Sequence, residues 1–141
     1  MSELHYPAPT APWTTNDERR MHWAAVGRRV AEWKQAAYWH ARMGKHGPQP
    51  PSTISMSITY PTHRRRDPHN LVGTILKATI DGLVQAGLWE DDTPEFVHIH
   101  EPTILIQPGT HQVTVSWEPL LTVEEIYAAT PTVLPPLKRK L

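Results

Sequence analysis

A single domain of mixed α and β class is what this sequence predicts: two main helices packed on a small mixed sheet of three or four strands. A length of 141 residues suits one domain. Apolar residues recur at helical spacing over two stretches and alternate at strand spacing over two others. The apolar share, 39%, is enough for one modest core.

Residues 1 to about 13 are proline-rich and read as an extended arm. Thr14, Thr15, Asn16 and Asp17 supply turn and capping chemistry. A first helix is expected from about His22 to Met43, with Val26, Val30, Trp33 and Ala37 as its apolar stripe. Trp23 and Trp39 are assigned to the core, the commoner place for tryptophan. Gly44 to Pro51 reads as a loop. Ile54, Met56, Ile58 and Tyr60 alternate within Ser52–Tyr60, the pattern of a half-buried strand.

A second helix is expected to begin at Asp67-Pro68, an acidic N-cap with proline at the first helical position, and to stop at Gly87. At about 100° per residue, Val72, Leu76, Ile80 and Leu83 share one side, with Ile75 and Val84 at its margins. Asn70, Thr74, Lys77 and Asp81 share the other. Phe96 to Gln107 reads as extended, broken or bent at Pro102. Pro108-Gly109-Thr110 is a turn signal. His111 to Trp117, with Val113, Val115 and Trp117 aligned, would complete a hairpin. Thr122 to Glu125 resembles a capping box opening a short helix through Ala129. Residues 130–141 read as a basic, proline-rich, disordered tail.

There is no cysteine, which rules out disulfides, zinc–thiolate sites and cysteine nucleophiles. No signal peptide or membrane span is evident, which points to the cytoplasm. Net charge is zero, unusual for a protein that grips nucleic acid. The charges are segregated, however. Arg19, Arg20, Arg28, Arg29, Lys34, Arg42 and Lys45 crowd the first third, and Glu90, Asp91, Asp92 and Glu95 follow the second helix. His98 and His100 would share a strand face but lack a third ligand at recognisable spacing, and one wet sheet face explains them.

The stretch from Arg64 to Asp92 carries the chemistry: three arginines, a helix with a polar stripe, and carboxylates at both ends. Hard divalent cations take oxygen ligands, one or two carboxylates with water and phosphate completing the shell. Were Asp67 and the Asp91-Asp92 pair to meet, they would suit such an ion beside a phosphodiester. Lys77 would offset developing charge, and Arg64, Arg65 and Arg66 would grip phosphates. A plainer reading stands beside this one. Asp67 serves equally as an N-cap, Asp91-Asp92 as a polar turn, and the arginines as a solvated loop.

The pattern R-R-R-D-x-x-N-L (Arg64–Leu71), K-A-x-x-D-x-L (Lys77–Leu83) and A-G-x-W-x-D-D (Ala86–Asp92) resembles the RusA-type Holliday junction resolvases. It covers about a fifth of the 141-residue chain. The resemblance implies a small RusA-like fold, a homodimer, and a Mg2+-dependent endonuclease (Mn2+ being a second candidate ion) of phage or prophage origin, acting in a bacterial cytoplasm. It implies Asp67, Lys77 and Asp92 as catalytic residues, and Asp67, Asp91 and Asp92 as metal ligands, with His69 as a further candidate. Arg64, Arg65, Arg66 and Asn70, with Arg19, Arg20, Arg28 and Arg29 of the first helical region, would contact branched DNA. His69 stands where the family often carries a second acid, and Lys77 lies one helical turn further from Asn70 than in the usual motif. The His69 departure leaves open a non-catalytic DNA-binding descendant. A nuclease of flaps or duplex ends would use the same residues.

Overall fold

The structure, a computed structural model, describes residues 2–120. The expected helix near 122–129 and the tail 130–141 lie outside that range. The fold is α+β: a five-stranded mixed sheet with three helices. Strand β2 (Ser52–Tyr60) runs through its middle. On one side lies β5 (Gln112–Pro119), antiparallel, and beyond it β1 (Ser2–Pro7). On the other side β3 (Val97–Ile99) and β4 (Thr103–Ile106) pair in parallel with successive halves of β2. Pro102 separates those two short strands, as its missing donor demands.

The alternation read in β2 is seen directly, with Ile54, Met56, Ile58 and Tyr60 all buried. Val113, Val115 and Trp117 of β5 are buried beside them. Three sheet expectations are corrected, the first being the sheet's size, five strands rather than three or four. Residues 2–7 form a paired strand rather than a free arm, burying Leu4 and Tyr6. β4 and β5 form no hairpin with each other, because β2 lies between them. The connection passes over the end of β2, whose backbone and side chains supply its hydrogen bonds. Gln107 N donates to Tyr60 O at 2.9 Å, and Gln112 N donates to Thr59 Oγ1 at 2.7 Å. Gly109, at φ +107°, makes the turn.

Helix α1 (Thr15–Glu18) is one turn closed by a capping box between Thr14 and Asp17. Helix α2 (Trp23–Met43) buries Trp33, Ala37 and Ala41, and Val30 packs against the core edge. Trp23 and Trp39 are not core residues: they are 80% and 52% exposed. Trp33 already fills the core side of this helix, and both of these lie off that stripe.

The segment after Asp67 is helical but not uniform. Pro68–Leu71 is a 3-10 turn, Val72–Leu76 is wound as π-helix, and helix α3 proper is Lys77–Gln85. The wider π turn shifts the angular register that a constant 100° step assumes. Leu76, Ile80 and Leu83 are buried as expected. Thr74, expected on the polar side, is buried as well, and its hydroxyl donates to Trp13 O at 2.7 Å. The helix ends in a Schellman arrangement. Gly87, at φ +94°, donates to Val84 O, and Leu88 donates to Leu83 O.

Helices α2 and α3 pack against each other at Gly82. A Cβ built there would lie 2.2 Å from Lys34 O, so no larger residue allows this approach. Trp13 joins the core against Trp33, ring centroids 6.0 Å apart, and its Nε1 donates to Glu18 Oε2. The chain preceding α1 is thereby fixed beside the Asp67 turn.

Candidate functional site

Asp67 is the N-cap expected from the Asp-Pro pair. Its φ and ψ are extended, and its Oδ1 accepts from His69 N at 3.0 Å. The residue is exposed and lines a cleft of about 330 Å³. One wall of that cleft is Arg64, Arg65 and Arg66, delivered by the end of β2. The facing wall is Thr14, Asn16 and Asp17, tied down where Thr15 Oγ1 donates to Asn70 O at 3.3 Å.

Arg66 is held in place. Its guanidinium carbon lies 3.9 Å from the Tyr60 ring centroid, and Nη1 donates to Thr62 O at 2.8 Å. Burial lifts the Tyr60 phenol above its ordinary pKa, and the neighbouring Arg66 opposes that shift. Arg64 and Arg65 are exposed. Among the described residues none of the three has a carboxylate within 4.0 Å. Such arginines are positioned to meet an anion from outside.

A second group forms along the helical segment at Lys77. Its Nζ donates to Asp81 Oδ1 at 3.0 Å and to Asp92 Oδ2 at 2.8 Å. The hydrogen bond from Lys77 holds the Asp92 carboxyl below its usual range. The hydrogen bond to Asp92, then that to Asp81, raises the Lys77 ammonium in turn. Asp91 turns its Oδ1 onto Asp92 N at 2.8 Å, which organises the acidic turn. Asp92 lines a small cavity with Val72, Leu76 and Ile99, apart from the cleft of Asp67.

The two acidic ends of the motif therefore share one helical segment but line separate cavities. Asp92 meets the segment at Lys77. Among the described residues no group of three or more His, Cys, Asp or Glu side chains converges on one point. The donor types still suit a hard divalent ion, which takes only one or two carboxylates and fills its shell with water and phosphate. His69, exposed, lies 3.7 Å through Nδ1 from Glu101 Oε2. Glu101 was not singled out from the sequence, because its place depends on β3 and β4 flanking Pro102. Asn16 and Asp17 were read only as capping residues, and the fold sets them on the cleft.

Arg19, Arg20 and Arg28 are exposed, and Arg29 is half-buried. Arg19 and Arg20 follow α1 directly in sequence and do not line the cleft. No helix among the described residues is long and apolar enough to cross a membrane. The arrangement defines an α+β protein with an arginine-lined cleft and an adjoining lysine–aspartate pair. Comparison with known proteins gives no matching family model and no match among curated proteins.

Proposed function

We propose that the protein is a metal-dependent endodeoxyribonuclease of RusA-like type. It would cut branched DNA, four-way junctions above all, and act as a homodimer. The observation that carries this reading is the hydrogen bond between Lys77 and Asp92, which joins the K-A-x-x-D-x-L and A-G-x-W-x-D-D segments in one polar group. The arginines around Asp67, none with a carboxylate partner among the described residues, support it with a surface for phosphate.

In this reading Asp67, Asp91 and Asp92 would be the carboxylate donors available to Mg2+ or Mn2+, one or two of them at a time, with water and phosphate completing the shell. When bound, the ion would supply an activated water and stabilise the leaving oxygen. Lys77 acts through its charge. With its pKa raised it remains an ammonium at neutral pH, so it offsets charge on phosphate and does not serve as a base. Arg64 and Arg65 take neighbouring phosphates, and Arg66, braced on Tyr60, fixes the strand's path. Two opposed nicks require two sites, which a two-fold dimer provides.

The test is cleavage of a labelled synthetic four-way junction beside linear duplex and a flap, with Mg2+, Mn2+ or chelator. Paired nicks that need metal and are confined to the junction are expected. Cleavage of the flap alone would make the protein a flap nuclease.

A second reading is a branched-DNA-binding protein without catalysis. It is favoured by His69, which stands where an acid is expected and faces Glu101. Imidazole is a poorer ligand for Mg2+ than carboxylate. Junction binding without cleavage under either metal would establish it. His69→Asp is expected to preserve or raise Mg2+-supported cleavage.

A further inference from the structure

The side chain at Trp23 has no structural employment. It is 80% exposed at the first position of α2, the most exposed of the large apolar residues described. The core receives nothing from it, and the ring is left free to meet a flat partner from solvent. Its one aromatic neighbour is His22, at 5.3 Å between centroids and a tilt of 31°. His22 is itself fixed as the helix N-cap, its Nδ1 accepting from Ala24 N at 3.1 Å. The Trp23 ring thus leans on an anchored neighbour and presents the rest of its surface outward.

Gly27 lies one helical turn further along the same face. A Cβ added there would meet nothing within 4 Å, so no packing requires glycine. Glycine inside an exposed helix is unfavourable by itself. Its effect here is a bare patch of backbone one turn beyond Trp23.

Two arginines lie just before Trp23 in sequence, and a third, Arg28, lies well round the helix from it. Arg19, Arg20 and Arg28 are exposed, and none has a carboxylate within 4.0 Å among the described residues. The acids just before Arg19 bond locally, Asp17 accepting from Thr14 N and Glu18 from Trp13 Nε1, whereas the exposed Glu32 lies one turn beyond Arg28. Asn16 and Asp17 line the arginine cleft, and Arg19 and Arg20 follow them in sequence before Trp23.

We propose that Trp23 is a stacking platform for an unpaired base of single-stranded DNA, with Arg19 and Arg20 holding the flanking phosphates. Every base offers a π face to an indole, so such a platform is indifferent to sequence. On the nuclease reading, the strand it takes is one that leaves the branch point with its bases unpaired.

The experiment is fluorescence anisotropy with a labelled thymine tract in chelator, so that no cleavage intervenes. Wild type, Trp23→Ala and Trp23→Phe are compared, with sedimentation velocity on each. Trp23→Ala is expected to weaken binding about tenfold, and Trp23→Phe to remain within about threefold of wild type. The exposed ring supports no core, so both variants should keep the wild-type melting temperature. Unchanged binding in Trp23→Ala, equal weakening in both variants, or no binding by wild type at low salt would each overturn the proposal. So would a wild-type dimer that Trp23→Ala dissociates, which would make the ring a contact between copies. Trp23-dependent binding with no cleavage under any metal would defeat the nuclease reading alone. Junction cleavage with unaltered thymine-tract binding in Trp23→Ala would defeat this one alone.

Discussion

Lys77 and Asp92, 15 residues apart in sequence, meet at 2.8 Å between Nζ and Oδ2. Both side chains keep substantial access to water, at 56% and 29% exposure. A pair so exposed adds little to stability, so its consequence is electrostatic: it keeps a cation and an anion fixed side by side. Asp92→Asn is therefore expected to abolish junction cleavage, to leave junction binding largely intact, and to change unfolding free energy by less than about 1 kcal/mol. Normal cleavage by this variant would remove Asp92 from the site.

The pH behaviour of the pair follows from the same bond. Asp92 is lowered by Lys77, so its contribution is present above the ordinary carboxylate value and is lost as pH falls through the depressed one. Lys77 is raised, so its contribution is present below the ordinary lysine value and is lost as pH rises through the elevated one. The small stability difference between wild type and Asp92→Asn should be flat from about pH 5 to 9. Chemical denaturation across that range checks it.

Gly82→Ala is expected to be severe. The new methyl would meet Lys34 O, a backbone atom that cannot step aside without moving α2. A loss of about 1–3 kcal/mol or more is expected from overpacking at a helix contact. Gly27→Ala offers the contrast, since its methyl meets nothing. It should stabilise by up to about 1 kcal/mol through helix propensity. Thermal melts of the two variants should move in opposite directions.

Arg64→Ala and Arg65→Ala should each weaken DNA binding across all sequences and reduce the slope of log affinity against log salt by about one unit. Arg66→Ala should do the same and also lower stability by about 0.5–1 kcal/mol, because the guanidinium rests on Tyr60. Binding titrations at several salt concentrations separate these effects. A flat salt response would take the arginines out of the interface.

Periodicity read the elements whose burial repeats cleanly. The alternation in β2 and β5, the Asp67-Pro68 start and the Gly87 stop all correspond to what the chain does. It misread Thr74 because the π turn changes the residues per turn without an obvious compositional sign. It misread Trp23 and Trp39 because a tryptophan's hydrophobicity does not say whether its helix face is covered. The relation of β4 to β5 was illegible for a different reason. A turn sequence reports that the chain reverses, but not whether a third strand occupies the gap. At the site, the acids and basic residues were readable as types. The meeting of Asp92 with Lys77, and of His69 with Glu101, depends on the sheet's crossover.

The partnership of β1 with β5 bears on how the polypeptide matures. Ser2 is in register with Trp117, so the first strand described docks against the last one described, more than a hundred residues away. Until β5 has docked, Leu4 and Tyr6 lack their neighbouring strand, and the edge of β1 stands open to chance pairing. Contacts so distant in sequence form slowly, because a long loop must close first. Closure of that long loop, rather than any local hairpin, is then the step that completes this side of the sheet.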